Sequence, residues 1–329
     1  MPYGCHIASA TTGAPAWRGE KAGDFTGNGS REVNPALIDH IDHRLDHLRH
    51  LDDELGSRDL AALARNELGL IVPLLRHGRY TEHTGRRLYS LAAEVGRQIA
   101  WSEFDQGHHA AAARSFEMSL RASATAEDPV TGAYALSFMA VQCYSTGQPQ
   151  QAVSLLDTAQ TEVRTLGTPR MTAMLAARSA RALSKTGDSK GCAHHLHLAE
   201  TALEKGPSPD DPPTLYWVTH GEIEMIAGSS ALELGNPAQA IRHFNAAVAA
   251  DYRGDDRYPR THAIYLARAA EAHLALHDLD AAIDTATHAM RCLGGVDSAR
   301  STSTLDGLRT KLADHAAVPL VHDFLDATR

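Results

Sequence analysis

Gly235-Asn236-Pro237-Ala238-Gln239-Ala240-Ile241-Arg242-His243-Phe244-Asn245-Ala246-Ala247 is the stretch on which the reading of this chain turns. A turn glycine is followed five residues on by a small residue, nine on by a bulky apolar one and twelve on by another small one. The phrase recurs at Gly107 (Ala112, Phe116, Ser119), Gly147 (Ala152, Leu156, Ala159) and Gly187 (Cys192, Leu196, Ala199), and at His277-Asp278 (Ala282, Ala286, Ala289). The turns lie 40, 40, 48 and 42 residues apart. Seven residues before each stands another small residue: Ala100, Ala140, Ala180, Gly228 and Ala270. Small residues at matching places on both sides of a tight turn let two antiparallel helices approach closely, and hairpins of this kind stack into a solenoid. The expected fold is therefore all-α, a right-handed α-solenoid of about fourteen helices.

Composition agrees. Of 329 residues 43% are apolar and only 5% aromatic, which suits many thin helix–helix interfaces better than a sheet. A net charge of −9 argues against a surface that tracks phosphates, so no direct nucleic-acid partner is expected. Cys5, Cys143, Cys192 and Cys292 are far apart, form no CxxC pair, and suit reduced thiols in a cytoplasmic protein. No stretch has the ~20 apolar residues of a membrane helix, so no membrane partner is expected either.

Residues 1–32 lack periodicity and read as a flexible arm. Order begins at Asn34-Pro35, a capping residue followed by a first-turn proline, and residues 33–79 read as a helical pair. Ile38, Ile41, Leu45, Leu48 and Leu55 form the stripe of its first helix, which ends at Gly56, and Pro73 should kink or end its second. Five hairpins fill 80–293 and capping helices 294–329, with Val318 to Leu325 closing the stack. Two proline- and glycine-marked inserts, 206–213 and 251–260, read as loops projecting from equivalent joints.

The turn, Ala, Phe, Ala phrase is the second-helix pattern of the tetratricopeptide repeat, which this chain resembles as a divergent branch. A second resemblance is carried by Leu51-Asp52-Asp53-Glu54-Leu55-Gly56, by Trp101 through Ala112, by Leu215-Tyr216-Trp217, by Arg257-Tyr258-Pro259-Arg260 and by Val318-Pro319 to Phe324. Together they look like the sensor region of actinobacterial Xre-type helix-turn-helix regulators. Met1 to Arg31 shows no amphipathic helix pair of the kind that enters a major groove, so the expectation is a sensor module without the DNA-reading half.

That resemblance implies a regulatory protein holding a peptide, small metabolite or partner protein on the concave face of the first helices. Counting back from each turn as the repeat family's pattern implies, the groove candidates are Arg97, Trp101, Phe104, Tyr134 and Tyr144, then Arg181, Lys185, Glu222, Met225 and Glu271. The cations would meet carboxylates and the glutamates an amine. Trp101 and Phe104 could instead pack between hairpins. No GxSxG, phosphate-cradling glycine loop or dinucleotide fingerprint is present, so no catalytic residue and no organic cofactor is expected.

One other feature carries chemistry. His40, His43, His47 and His50 fall within about a quarter of a helix circumference, with Asp39, Asp42 and Asp46 interleaved. Such a stripe could hold a transition metal, making the chain a metal-binding protein or metal-dependent enzyme of specialised metabolism. It could equally flank the seam of a homodimer, or be a solvated polar flank. His194, His195 and His197 lie off the core line of their helix and read as exposed.

Overall fold

The computed structural model describes residues 27–54, 57–250, 252, 258–294 and 298–328. Most of the expected arm, Cys5, the Leu55-Gly56 helix end and most of the 251–260 insert lie outside the described residues. Among those described there are fourteen α-helices, and none is long and apolar enough to cross a membrane. The protein is an all-α helical-repeat fold.

The chain divides into two compact units. The first comprises residues up to Gly147 together with Ser154–Gly167. It contains α1 (Pro35–Glu54), α2 (Ser57–His77), α3 (Glu82–Asp105), α4 (His109–Ala126), α5 (Pro129–Ser145) and most of α6 (Pro149–Val163). Asn34 caps α1 by accepting the Leu37 N–H at 2.9 Å, and Ile38, Ile41, Leu45 and Leu48 are all buried, as one apolar stripe requires. Helix α2 continues through Pro73 to His77 rather than ending there. A feature without a helical signal follows: Gly78–Tyr80 pairs antiparallel with Gly27–Asn28 and parallel with Arg31–Glu32. Pairing thus begins inside the stretch read as arm. Those strands are two or three residues long, too short to show an alternating pattern.

The second unit comprises Gln148–Val153 and Thr168 onward. It holds α7 (Pro169–Thr186), α8 (Ser189–Leu203), α9 (His220–Glu233), α10 (Pro237–Ala249), α11 (Pro259–Ala275), α12 (Leu279–Leu293), α13 (Ala299–Ala313) and α14 (Pro319–Ala327). Leu305, Leu308, Leu312, Val321 and Phe324 of the last two helices close over the alanines of α11 and α12. The 206–213 insert does not stand away from the protein. It runs into a 3-10 turn at Pro213–Leu215 that lies on α7, with Leu215 and Val218 buried, because the apolar residues after the prolines have core to reach.

Every repeat turn is left-handed: φ is 80°, 81°, 80° and 77° at Gly107, Gly147, Gly187 and Gly235, and 60° at His277. The helix ends share one bonding pattern. Gly235 donates its N–H to Leu232 O and Asn236 to Ala231 O, and His277 and Asp278 repeat this with Leu274 O and His273 O. At three of the turns the following residue then caps the next helix, Asp188 Oδ1 accepting from Gly191 N, Asn236 Oδ1 from Gln239 N and Asp278 Oδ1 from Ala281 N. Beyond the turn, Ala112, Ala152, Ala240 and Ala282 are fully buried, as are Ser119, Ala159, Ala199, Ala247 and Ala289. Before it, Ala100, Ala140, Ala180 and Ala270 are fully buried too.

At Gly228 the approach is closest. A Cβ there would lie 2.7 Å from the Phe244 ring. Gly228→Ala should therefore cost about 1–3 kcal/mol by overpacking, and Phe244→Leu in the same chain should return part of it. Gly235→Ala, which has open space for a methyl but the wrong φ, should cost about 1–2 kcal/mol with no such rescue. Urea unfolding of the three variants distinguishes the two causes.

Candidate functional site

The first helices of the hairpins carry ionisable side chains into buried positions, and each unit handles them differently. In the first unit, Arg97 on α3 makes a two-pronged bond to Glu94, 3.1 Å from Nε to Oε2 and 2.9 Å from Nη2 to Oε1. Gln98 donates to the same carboxylate at 3.2 Å, and Arg49 from α1 stands 3.8 Å away. Above the guanidinium lie the rings of Tyr134 and Phe138 from α5, at 5.0 and 4.6 Å. Trp101 meets Phe138 edge-on at 4.8 Å and touches Phe104 at 5.5 Å. Burial alone would raise the Glu94 carboxyl, but Arg97 overrides it, with Arg49 and Gln98 helping, and the group is held below its ordinary range.

Four of the five groove candidates of this unit are thus structural in placement. Arg97, Trp101, Phe104 and Tyr134 are all buried and fill the interval between consecutive hairpins, whereas Tyr144 is half-buried near the turn. The open-groove reading does not describe them, because the aromatics gain more by packing edge to face across α3 and α5 than by facing water.

The second unit keeps an imbalance. Arg181 on α7 reaches Glu233 at 3.2 Å, Lys185 reaches the same carboxylate oxygen at 2.8 Å, and Arg268 from α11 acts on both Lys185 and Glu233. Burial, then Arg181 and Arg268, push the Lys185 ammonium below its usual range, with Glu233 opposing. Arg181 and Lys185 thus share one carboxylate oxygen, with Arg268 close enough to act on it. Arg181 is buried, but the Lys185 and Glu233 side chains keep 25% and 27% of their exposure, so the cluster opens to solvent. Nearby on α7, the Arg178 guanidinium lies 5.1 Å over the Trp217 ring delivered by the insert.

On α9, Glu222 is buried and accepts the Tyr265 hydroxyl at 2.6 Å. Burial pushes its carboxyl up to about 7 against the pull of Tyr265, Arg178, Arg300 and Tyr252. The Tyr252 ring continues to His262 at 5.4 Å and to Tyr265 at 6.2 Å. Met225 is buried in the hydrophobic packing of α9 with α10 and α11, and Glu271 is held by Lys311 of α13 at 2.9 Å. Of the second unit's groove candidates, then, Arg181 and Lys185 come together, while Glu222, Met225 and Glu271 serve separate contacts. Their partners Arg268, Tyr252 and Tyr265 escaped sequence reasoning, since none sits at a concave-face offset from its turn.

His40, His43, His47 and His50 are all exposed on α1, and the His43 Nδ1 faces the Asp39 carbonyl oxygen at 2.6 Å. Their donor atoms are not gathered. Among the described residues, three metal-ligating atoms converge elsewhere, at His262, His288 and Cys292. His194 and His197 are exposed and His195 half-buried. Cys143 and Cys192 are buried free thiols, and burial raises the Cys192 thiol.

No family model and no curated protein matches this chain. Among solved structures, a chain of the APC/C hetero-tetramer Cut9–Hcn1 aligns at 16% identity and a TM-score of 0.44, over 90% of this chain and 57% of its own length. The P58(IPK) TPR domain aligns at 12% identity and a TM-score of 0.25, over 84% of this chain and 99% of its own. This chain therefore spans little more than half of the first of these.

Glu222 sets a pH dependence. A carboxyl raised from 4.5 to about 7 on folding binds a proton in the folded state that the unfolded chain has released. Its effect is harmless below about pH 4.5 and grows as pH rises to about 7, reaching about 3 kcal/mol of lost stability. Glu222→Gln should match the parent in urea near pH 5 and exceed its stability by about 2–3 kcal/mol near pH 8. Equal midpoints at both pH values would show that Glu222 titrates normally.

Proposed function

We propose that the chain is a protein-interaction module that holds an acidic segment of a partner protein against the α7–α11 cation cluster. The observation that supports this reading is the gathering of charge at one half-open place: Arg181 and Lys185 on the Glu233 carboxylate, with Arg268 acting on both Lys185 and Glu233. Burial first, and then Arg181 and Arg268, hold the Lys185 ammonium below its ordinary range. A second carboxylate from a partner would relieve that repulsion and form charge-assisted bonds with guanidinium groups held by their packing. On a chain of net charge −9, such a cluster stands out as a local site against a repelling background, which favours selectivity for one docking register over general attraction to acidic surfaces.

The stretches that resemble the sensor region of Xre-type regulators, Trp101 through Ala112 and Leu215-Tyr216-Trp217 among them, favour a regulatory setting for the module. In that setting it would act through a partner that reads DNA rather than by reading DNA itself.

The test is native mass spectrometry of the protein purified from its own host, beside a Lys185→Ala/Arg268→Ala variant purified identically. A co-purifying polypeptide with an acidic segment, retained by the parent and bound at least about tenfold more weakly by the variant, is the expected result. A partner held equally by both, or one whose docking segment is basic or uncharged, would overturn the reading.

A further inference from the structure

Three potential metal-binding side chains meet in the last hairpin. His288 and Cys292 stand four residues apart on α12, hence on one face of the helix, and His262 comes from the first turn of α11. One donor atom from each lies within 4.8 Å of the other two. The His262 and His288 rings are 5.8 Å apart and nearly perpendicular. His262 is buried, while His288 and Cys292 are half-buried, so the cluster has both a protein wall and a path to solvent.

We propose that His262, His288 and Cys292 form a zinc site with three protein ligands. The donor set is the argument for the metal. Two imidazole nitrogens and a thiolate are borderline-to-soft ligands, which suit zinc and disfavour magnesium or calcium, whose sites are built of oxygens. The geometry is the argument for a site. Around tetrahedral zinc, donors sit about 3.3–3.6 Å from one another, so the present separations need to close by roughly 1 Å, within reach of side-chain torsions alone. Two of the ligands already share one helical face, and the third is fixed by a helix packed against it.

Binding is coupled to a proton. The Cys292 Sγ–H bond breaks, the proton leaves to solvent, and the thiolate electron pair forms the Zn–S bond, with both histidines neutral. Affinity should accordingly rise with pH between about 6 and 8. Three protein ligands leave one tetrahedral position for water or a ligand from outside. The metal would tie α11 to α12 through side chains alone. It would also sit one ring away from Tyr252, whose ring meets that of Tyr265, the hydroxyl donor to Glu222, so occupancy should be felt at that carboxylate. The proposal is separate from the cation cluster of α7 and stands or falls without it.

The full chain, stripped of metal by chelator and kept under a phosphine reductant, is titrated with Co²⁺ and then Zn²⁺. The expected result is one equivalent of cobalt with a thiolate charge-transfer absorption in the near ultraviolet, bleached by zinc. That absorption should be lost in Cys292→Ser and at least about tenfold weaker in affinity in His288→Gln. It should be unchanged in His43→Ala/His47→Ala. Far-ultraviolet circular dichroism checks that each variant is folded, and Cys292→Ser, a half-exposed isosteric change, serves where His288→Gln does not fold. Failure to see the charge-transfer absorption, its persistence in Cys292→Ser, or its loss in the α1 variant alone would overturn the assignment.

Discussion

The contact on which the rest depends is the near touching of two helix backbones across a left-handed turn. Gly228 against the Phe244 ring shows its limiting case, and fully buried alanines at the corresponding places of the other hairpins show the usual one. Alanine gives up no rotamer freedom on burial, so an interface built of it costs little entropy, but each residue also contributes little apolar area. Stability must then come from many thin contacts in series, which is what a 5% aromatic content permits. The turn is part of the same constraint. Helices that meet so closely need a connection that reverses direction at once, and the left-handed residue does this while satisfying two of the carbonyls at the helix end.

Closeness on one side of the first helices leaves their other side to be filled by long side chains, and there the two units diverge. In the first unit the charge is closed upon itself: Arg97 faces Glu94 and is covered by Tyr134 and Phe138. Such a pair contributes order more than net stability, because desolvating both ions offsets most of their attraction. In the second unit Arg181 and Lys185 meet at Glu233 beside Arg268, and burial, with Arg181 and Arg268 adding to it, holds the Lys185 ammonium below its ordinary range. Its Lys185 and Glu233 side chains keep part of their exposure, so this charge is open to solvent where that of Arg97 and Glu94 is closed.

The hairpins were legible because their signal is short in range and repeated. Five turns with small residues at fixed offsets fix the register, and the buried positions follow from it. The strands at 27–28, 31–32 and 78–80 were not, since no two- or three-residue strand carries a period. Nor was the return of the insert: Pro207, Pro209, Pro212 and Pro213 do break a helix, but only the fold reveals that Leu215 and Trp217 have somewhere to go. Groove membership failed for a related reason. An offset from a turn gives the direction of a side chain, whereas exposure depends on what the next helix brings, and α5 brings aromatics to α3.

The histidines show the same limit from the other side. Four of them on α1 form the loudest pattern in the chain, yet a stripe along one isolated face spreads its donors along the helix axis and points them outward, where water competes for each. His262 is 26 residues from His288 in sequence and follows no motif with it. The tight approach of α11 to α12 sets them ring against ring. Ala270, Ala282, Ala286 and Ala289 allow that approach, and these are the residues by which the repeat is recognised in the sequence. Because the alanines let the two helices come close, His262 of α11 reaches the pair that His288 and Cys292 already form at one-turn spacing on α12. The repeat pattern, which itself names no chemistry, is therefore what brings these donors together.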